Sequence, residues 1–247
     1  MAQDTSRVQR IAMWSGPRNI STALMRSFEN RGDCFVSDEP FYACYLATTG
    51  LQHPGLAEIL RHHETDWDRV VQHLTGPTPE GQSVWYQKQM AHHMLPGHDR
   101  EWMYRDDFQH VFLIRAPQQM LLSLSKVLGQ VDVAQTGLPQ QVELFRSIEQ
   151  RTGRRPLVLD SRDVLADPAV AMQQLCERLG LDFRPTMLSW PTGPRSTDGI
   201  WAPHWYSRVY ETTGFAADVV RDEPLPDHCV AILSECEALY AQLAAAI

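Results

Sequence analysis

The segment Ile11-Ala-Met-Trp-Ser-Gly-Pro-Arg-Asn-Ile-Ser-Thr-Ala-Leu24 decides the fold, because it predicts a strand, a turn and a helix start in direct succession. Its first four residues are apolar, and the Ser-Gly-Pro that follows is typical of a turn. Ile20, Leu24 and Phe28 then recur at the spacing of one helix face, which predicts a helix opening at residues 19–21. A strand followed at once by a helix is the building unit of α/β proteins.

The turn in this segment has the chemistry of an anion site. The first turn of a helix has N–H groups without partners and the positive end of the helix dipole, which attract phosphate or sulfate. Arg18, Ser21 and Thr22 add a guanidinium and two hydroxyls. The usual nucleoside-triphosphate P-loop needs a second Gly followed by Lys, whereas Gly16 is followed by Pro-Arg-Asn-Ile-Ser-Thr. Ordinary ATP or GTP hydrolysis therefore loses support.

Length and composition indicate a single domain over residues 1–247. Hydrophobic residues make up 43% of the chain and charged residues 21%, and no Pro-, Gly- or Ser-rich linker divides it. No apolar run is long enough to cross a bilayer, and the polar residues 1–6 lack the apolar region of a secretion signal. We therefore expect a cytoplasmic protein without a membrane partner.

Charge and cysteine usage argue against further classes. The net charge of -8 argues against a nucleic-acid partner, because nucleic-acid-binding surfaces are basic over a broad face. The five cysteines include no Cys-x-x-Cys pair, so neither a disulfide framework nor a structural zinc site is expected. The histidines have no Cys or carboxylate at a recognised ligand spacing, and we expect no metal.

Five strand-like segments alternate with helices along the chain. They lie at residues 10–14, 34–36, 84–88, 111–114 and 157–159. This alternation predicts an α/β fold of three layers, with a mostly parallel sheet and helices on both faces. Ligands of such sheets bind at the carboxyl ends of the strands. We therefore expect one edge of the molecule to collect residues 15–22, 38–39, 88–93 and 115.

The later chain contains readable helices and one irregular stretch. Helices are predicted at residues 118–128 and 168–179, and a last helix carries Val230 and Tyr240 on one face. From residue 185 to 215 the pattern gives way to Pro, Gly, Trp and Tyr. A loop of this length and aromatic content is either a lid over a ligand or a packed irregular cap, and both interpretations stay open.

A second anion element follows the fourth predicted strand. Arg115 stands at the strand end, and Ser123 comes eight positions later on the next helix. Either residue alone is typical of a solvated surface. Together they offer a guanidinium and a hydroxyl to a second phosphate, at the same sheet edge as the first turn.

The two elements together resemble the sulfotransferase family that uses 3′-phosphoadenosine 5′-phosphosulfate (PAPS), which has a P-loop-like fold. The turn from Trp14 to Thr22 is similar to the family's site for the 5′-phosphosulfate, and Arg115 with Ser123 is similar to its site for the 3′-phosphate. The resemblance covers about residues 11–180. It implies that PAPS is bound by Gly16, Pro17, Arg18, Asn19, Ser21, Thr22, Arg115 and Ser123.

Three positions depart from the family pattern. Ser161 stands where the family often has a Tyr close to the adenine. Asn19-Ile20 replaces the more common Ser-Gly and crowds the turn. The family's late basic loop is similar to Gly193-Pro-Arg-Ser-Thr197, so the resemblance implies a phosphate contact from Arg195.

The resemblance also implies which residues carry out the transfer. Sulfuryl transfer needs cations beside the leaving phosphate and a base for the acceptor's proton. Arg18 and Lys88 are the implied cations. Glu39 is similar to the catalytic Glu of bacterial and tyrosylprotein members, whereas His92 and His93 follow Lys88 much as the catalytic His does in cytosolic small-molecule members. We favour Glu39, because Asp-Glu-Pro-Phe is the tighter local match.

The expected function is transfer of a sulfuryl group from PAPS to a hydroxyl or amine of a small-molecule acceptor, leaving adenosine 3′,5′-bisphosphate. Two hypotheses compete with it: a Mg-dependent P-loop phosphotransferase, and a non-catalytic nucleotide-binding protein of the same fold. The oligomeric state is not readable from the sequence. The aromatic residues that either line an acceptor pocket or belong to the core are Phe41, Tyr42, Tyr45, Trp201, Trp205 and Tyr206.

Overall fold

The computed structural model describes residues 8–217 and 222–247 and is built on one five-stranded sheet. The strands are β1 (Gln9–Ser15), β2 (Cys34–Asp38), β3 (Val84–Met90), β4 (Phe108–Ile114) and β5 (Leu157–Asp160). Their order is β2-β3-β1-β4-β5, and every neighbouring pair is parallel. The predicted strands are thus confirmed, and their carboxyl ends meet at one edge.

Eleven helices connect and cover these strands within the described residues. They are α1 (Ser21–Glu29), α2 (Tyr42–Thr49), α3 (Leu56–His62), α4 (Trp67–Thr75), α5 (Pro117–Leu128), α6 (Leu138–Thr152), α7 (Ser161–Ala166), α8 (Pro168–Leu179), α9 (Ala202–Trp205), α10 (Ser207–Tyr210) and α11 (Asp227–Ala244). The predicted helices at 118–128 and 168–179 agree with α5 and α8 to within one residue.

The central strand β1 shows why the sheet is covered on both sides. Successive side chains of a strand point to opposite faces. Ala12 and Trp14 therefore pack into one core with α4, α6 and α11, while Ile11 and Met13 pack into another with α1 and α8. All four side chains are fully buried, as is typical of a parallel sheet. The predicted three-layer α/β fold is confirmed.

The irregular stretch at residues 185–215 is fastened along α1. The guanidinium of Arg26, buried in that helix, forms an ion pair of 2.6 Å with Asp198. Asn30 donates to the backbone carbonyls of Thr186 and Ser189. Two short helices, α9 and α10, follow and turn the chain toward the carboxyl ends of the strands.

No helix in the part of the chain that the structure describes is long and apolar enough to cross a membrane. All five cysteines are free and buried.

His110 of β4 is a buried histidine whose hydrogen bonds need its neutral form. Its Nδ1 accepts from Trp14 Nε1 at 3.0 Å, so Nε2 carries the proton and donates to the Met103 carbonyl at 2.8 Å. Burial lowers the pKa of His110 from 6.5 to about 4. Below pH 6.5, His110 therefore binds a proton in the unfolded chain but not in the folded protein. Stability falls as the pH drops from 6.5 toward 4, because protonation favours the unfolded chain.

This protonation predicts an acid-dependent loss of stability. Between pH 7 and pH 5 the parent should lose about 2 kcal/mol of unfolding free energy more than His110→Gln, which cannot titrate. Urea unfolding at both pH values measures the difference. Equal losses in the two proteins would contradict the assignment.

Candidate active site

The carboxyl ends of the strands open into a cavity of about 290 Å³. Most of the residues predicted for the site line this cavity. They are Pro17, Arg18, Asn19, Ser21, Thr22, Glu39, Lys88, His92, His93, Arg115 and Ser123. The parallel register explains their meeting, because each lies in or after the end of a strand or on the element that follows it.

The turn between β1 and α1 is tightly packed. A Cβ atom on Gly16 would lie 2.1 Å from the carbonyl oxygen of Thr136, so no larger residue fits there without movement. Arg18 and Ile20 have φ values of 64° and 58°, in the left-handed region that glycine adopts freely. Such a conformation costs roughly 1–2 kcal/mol for a residue with a side chain. Strain of this kind is typical of functional turns, and here neighbouring packing holds it.

The start of α1 faces the cavity with its N–H groups. Ile20 occupies the N-cap position, and no side chain of the described residues caps this helix. Ser21 and Thr22 are nearly buried and line the cavity beside those N–H groups. Because the dipole adds positive charge at this point, the helix start is suited to an anionic group.

The second anion element touches the first. Arg18 Nε donates to Ser123 Oγ at 3.0 Å, and Arg115 Nη1 donates to the backbone carbonyl of Arg18 at 2.8 Å. The sequence pattern assigns Arg18 to the first element, whereas the structure turns its guanidinium toward the second. Two arginines and three hydroxyl side chains thus surround one part of the cavity, and this donor set fits a ligand with more than one anionic group.

A buried lysine faces two carboxylates on another side of the cavity. Lys88 Nζ lies 2.9 Å from Asp38 Oδ1 and 2.7 Å from Glu39 Oε1. The side chains of Lys88 and Asp38 are 1% exposed, and that of Glu39 is 12% exposed. Glu39 is therefore the carboxylate of this group that reaches the cavity.

The backbone at Glu39 explains how two consecutive carboxylates reach one ammonium. In an extended strand, neighbouring side chains point to opposite faces. Glu39 has a φ of 43°, just beyond the last residue of β2, and this bend brings its side chain to the same side as Asp38. Its N–H donates to the carbonyl of Lys88 at 3.0 Å, which fixes the bend to β3.

The charges of this group change the proton affinity of each member. Burial raises the pKa of Glu39; the Lys88 ammonium lowers it and the Asp38 charge raises it, and the net effect is an increase. For Lys88, burial lowers the pKa, but the two carboxylates outweigh it and the pKa rises. The lysine thus stays charged, while Glu39 binds a proton more readily than an ordinary glutamate.

Tyr206 completes this group from the irregular stretch. Its hydroxyl lies 2.5 Å from Lys88 Nζ and 2.8 Å from both oxygens of Asp38. Trp201 Nε1 donates to the same hydroxyl at 3.2 Å, and the N–H of Gly199 donates to Asp38 at 3.0 Å. Sequence reasoning missed the role of Asp38 and Tyr206, since they are 168 positions apart.

The two predicted histidines lie among aromatic rings. His93 stacks against Tyr42 and Tyr45, with ring centroids 5.0 and 4.8 Å apart, and His92 meets Tyr45 edge-on. Burial lowers the pKa of His92 to about 4 and that of His93 well below its ordinary value. Both are neutral at pH 7 and are poor bases.

The irregular stretch proves to be both a packed cap and a cavity wall. Its first half packs on α1, whereas the second half contributes to the cavity lining. The lining residues of that half are Trp205, Tyr206, Arg208, Val209, Thr212, Gly214 and Phe215. Of the predicted aromatic residues, Phe41 instead belongs to the core, 4.2 Å from the ring of Trp67. Trp201 is buried behind Tyr206.

Two predicted nucleotide-binding residues do not line the cavity. Gly16 lies behind the turn and acts through its close approach to Thr136. Arg195 pairs with Glu29 at 3.7 Å near the far end of α1, so the structure does not bring it to Arg115. Ser161 is also buried outside the cavity, whose lining at α7 is provided by Leu165.

Within residues 8–217 and 222–247, no group of three or more His, Cys, Asp or Glu side chains is arranged to hold a metal ion.

Solved structures share this architecture. The sulfotransferase domain from the Synechococcus PCC 7002 olefin synthase aligns over 96% of this chain and 98% of that domain, with a TM-score of 0.53 and 18% identity. A sulfotransferase from Alicyclobacillus acidocaldarius aligns over 95% of both chains, with a TM-score of 0.54 and 12% identity. At these identities the similarity concerns the fold.

Two Arabidopsis thaliana proteins are more similar in sequence. Branched-chain-amino-acid aminotransferase-like protein 2 is 33% identical over 93% of this chain, and protein 1 is 36% identical over 84%. The chain spans 40% and 36% of the lengths of these relatives, so it corresponds to one part of each. A family model described as a sulfotransferase domain matches residues 9–244, and the chain therefore belongs to the sulfotransferase domain family.

Proposed function

We propose that the protein transfers a sulfuryl group from PAPS to a hydroxyl or amine of a small-molecule acceptor in the cytoplasm. The observation that carries the proposal is one cavity with a carboxylate of raised pKa on one side and two joined anion elements on the other. Membership of the sulfotransferase family supports the reaction class. The free, buried cysteines fit a reducing compartment.

The residues present fit the two anionic ends of PAPS. Ser21, Thr22 and the N–H groups of α1 would hold the 5′ end, and Arg115 with Ser123 would hold the 3′-phosphate. Arg18 adds a positive charge beside both. When bound, PAPS supplies the activated sulfuryl group.

The adenine needs an apolar surface, since Tyr is missing at position 161. Leu165 of α7 and Phe215 of the irregular stretch both line the cavity and offer such a surface. We propose that the adenine ring packs against these two side chains.

Glu39 is the group we assign as the base that takes the acceptor's proton. Proton transfer is most efficient when the pKa of the base lies near the working pH. Burial raises the pKa of Glu39 toward that range, whereas it lowers the pKa of His92 to about 4, away from it. The histidines are then assigned to the acceptor pocket as neutral polar surface.

The acceptor pocket favours a flat, apolar body. Tyr42, Tyr45 and Trp205 give it aromatic walls, and the imidazoles beside them are neutral. The charged group around Lys88 carries one more negative than positive charge. An acceptor without a negative charge near its reacting atom therefore fits best.

Nucleotide binding provides the first test of the proposal. Calorimetry of adenosine 3′,5′-bisphosphate should show binding by the parent and a loss of about 10- to 100-fold in affinity for Arg115→Ala, which removes a charged donor. Arg195→Gln, outside the cavity, is the matched control and should bind like the parent. Unchanged affinity in Arg115→Ala would contradict the two-ended site, and Mg-dependent ATP binding in place of bisphosphate binding would favour a phosphotransferase.

The identity of the base provides the second test. Glu39→Gln should lower kcat by about 100- to 10,000-fold, whereas His92→Ala should keep most of it. The activity of the parent should fall as pH drops through the pKa of Glu39, with an acid limb in kcat/KM above the ordinary glutamate value of about 4.3. A larger loss in His92→Ala than in Glu39→Gln would transfer the role to the histidine.

A further inference from the structure

We propose that Asp38 and Tyr206 are positioning residues for the base. They hold the Lys88 ammonium against one carboxylate oxygen of Glu39, so that the other oxygen faces the cavity and takes the acceptor's proton. The inference rests on the proposed function in naming Glu39 as the base. It adds two residues that sequence reasoning did not assign to the reaction.

The hydrogen bonds of Lys88 are fully used in this arrangement. An ammonium has three N–H donors, and Nζ of Lys88 has three partners: Asp38 Oδ1, Glu39 Oε1 and the hydroxyl of Tyr206. That hydroxyl in turn accepts from Trp201 and donates to Asp38. The lysine therefore has one orientation, and it is set from three sides.

The two oxygens of Glu39 differ as a result. Oε1 accepts from Lys88 at 2.7 Å, whereas Oε2 accepts no hydrogen bond from the residues that the structure describes. Since Glu39 lines the cavity, Oε2 is the oxygen available to an acceptor. In the transfer, the acceptor's O–H or N–H bond would break and its proton would bond to Oε2. The electron pair left on the attacking atom would form the bond to sulfur as the sulfur–oxygen bond to the 5′-phosphate breaks, and the bisphosphate would leave with that bond's electron pair.

Charge balance explains why a second carboxylate is needed. With Lys88 and Glu39 alone, protonation of Glu39 would leave a buried ammonium without a counter-ion, which costs several kcal/mol. Asp38 supplies a second negative charge beside Lys88, so proton uptake by Glu39 changes the net charge of the group from -1 to 0. The group is therefore suited to accept one proton.

The tyrosines and histidines around this group are neutral near pH 7. Burial raises the pKa of Tyr42 from α2 and of Tyr86 from β3. Burial lowers the pKa of His93, and also that of His63, which follows α3. Burial also raises the pKa of Tyr210 in α10, and the negative charge of Asp38 adds to this increase. The proton affinity of Glu39 is therefore set first by burial and then by Lys88, Asp38 and Tyr206.

Carbon-13 NMR of the free protein tests this without turnover. The δ carbon of Glu39 is assigned by its absence in Glu39→Gln and titrated with pH. Asp38→Asn should lower the pKa of Glu39 by about 1 pH unit, because Lys88 then acts on Glu39 alone. Tyr206→Phe should raise it, because the carboxylates lose a donor. Tyr210→Phe, a tyrosine of the same stretch that interacts with Asp198, is the control and should leave it unchanged.

The two variants are expected to shift the pKa of Glu39 in opposite directions. An unchanged or raised pKa in Asp38→Asn, or a lowered one in Tyr206→Phe, would overturn it. If Asp38→Asn does not fold, as judged by near-ultraviolet circular dichroism, Tyr206→Phe alone decides by the direction of its shift. The acid limb of kcat/KM should move in the same directions. If the pKa shifts occur but the parent transfers no sulfuryl group, the proposed function fails and the arrangement of the group stands.

Discussion

A buried lysine facing two carboxylates is the interaction on which this site depends. Lys88 comes from β3, Asp38 and Glu39 from the end of β2, and Tyr206 from the irregular stretch. Removing one partner of a buried ion pair is strongly destabilising, so each of these elements is held in place by the others. The same contacts that fasten the stretch over the sheet edge also set the proton affinity of Glu39.

The shape of the anion side of the cavity depends on packing. The turn after β1 fits only because Gly16 lies directly against the Thr136 carbonyl. Arg18 and Ile20 accept left-handed backbone conformations on either side of Asn19, whose buried side chain donates to the Leu113 carbonyl. A rigid, strained turn of this kind presents the start of α1 to a ligand without reorganisation, which favours tight binding of a charged group.

Much of this could be predicted from the sequence, and the limits have physical causes. Periodicity predicted the strands and α1, and the spacing of Arg115 and Ser123 predicted that both would lie at the edge of the sheet where the first turn lies, because both follow one strand. Contacts between distant segments have no local signal: Arg195 pairs with Glu29, and Tyr206 reaches Asp38 across 168 positions. The bend at Glu39 likewise could not be predicted, because the sequence pattern there is typical of an extended strand end.

Product analysis tests sulfuryl transfer by this cavity. The protein is incubated with PAPS and a library of neutral aromatic and aliphatic alcohols and amines, and the mixture is read by mass spectrometry. We expect one or more products that have gained a sulfuryl group, with an equal amount of adenosine 3′,5′-bisphosphate. Bisphosphate that binds tightly while no library member gains a sulfuryl group would contradict it and would favour a non-catalytic nucleotide-binding protein.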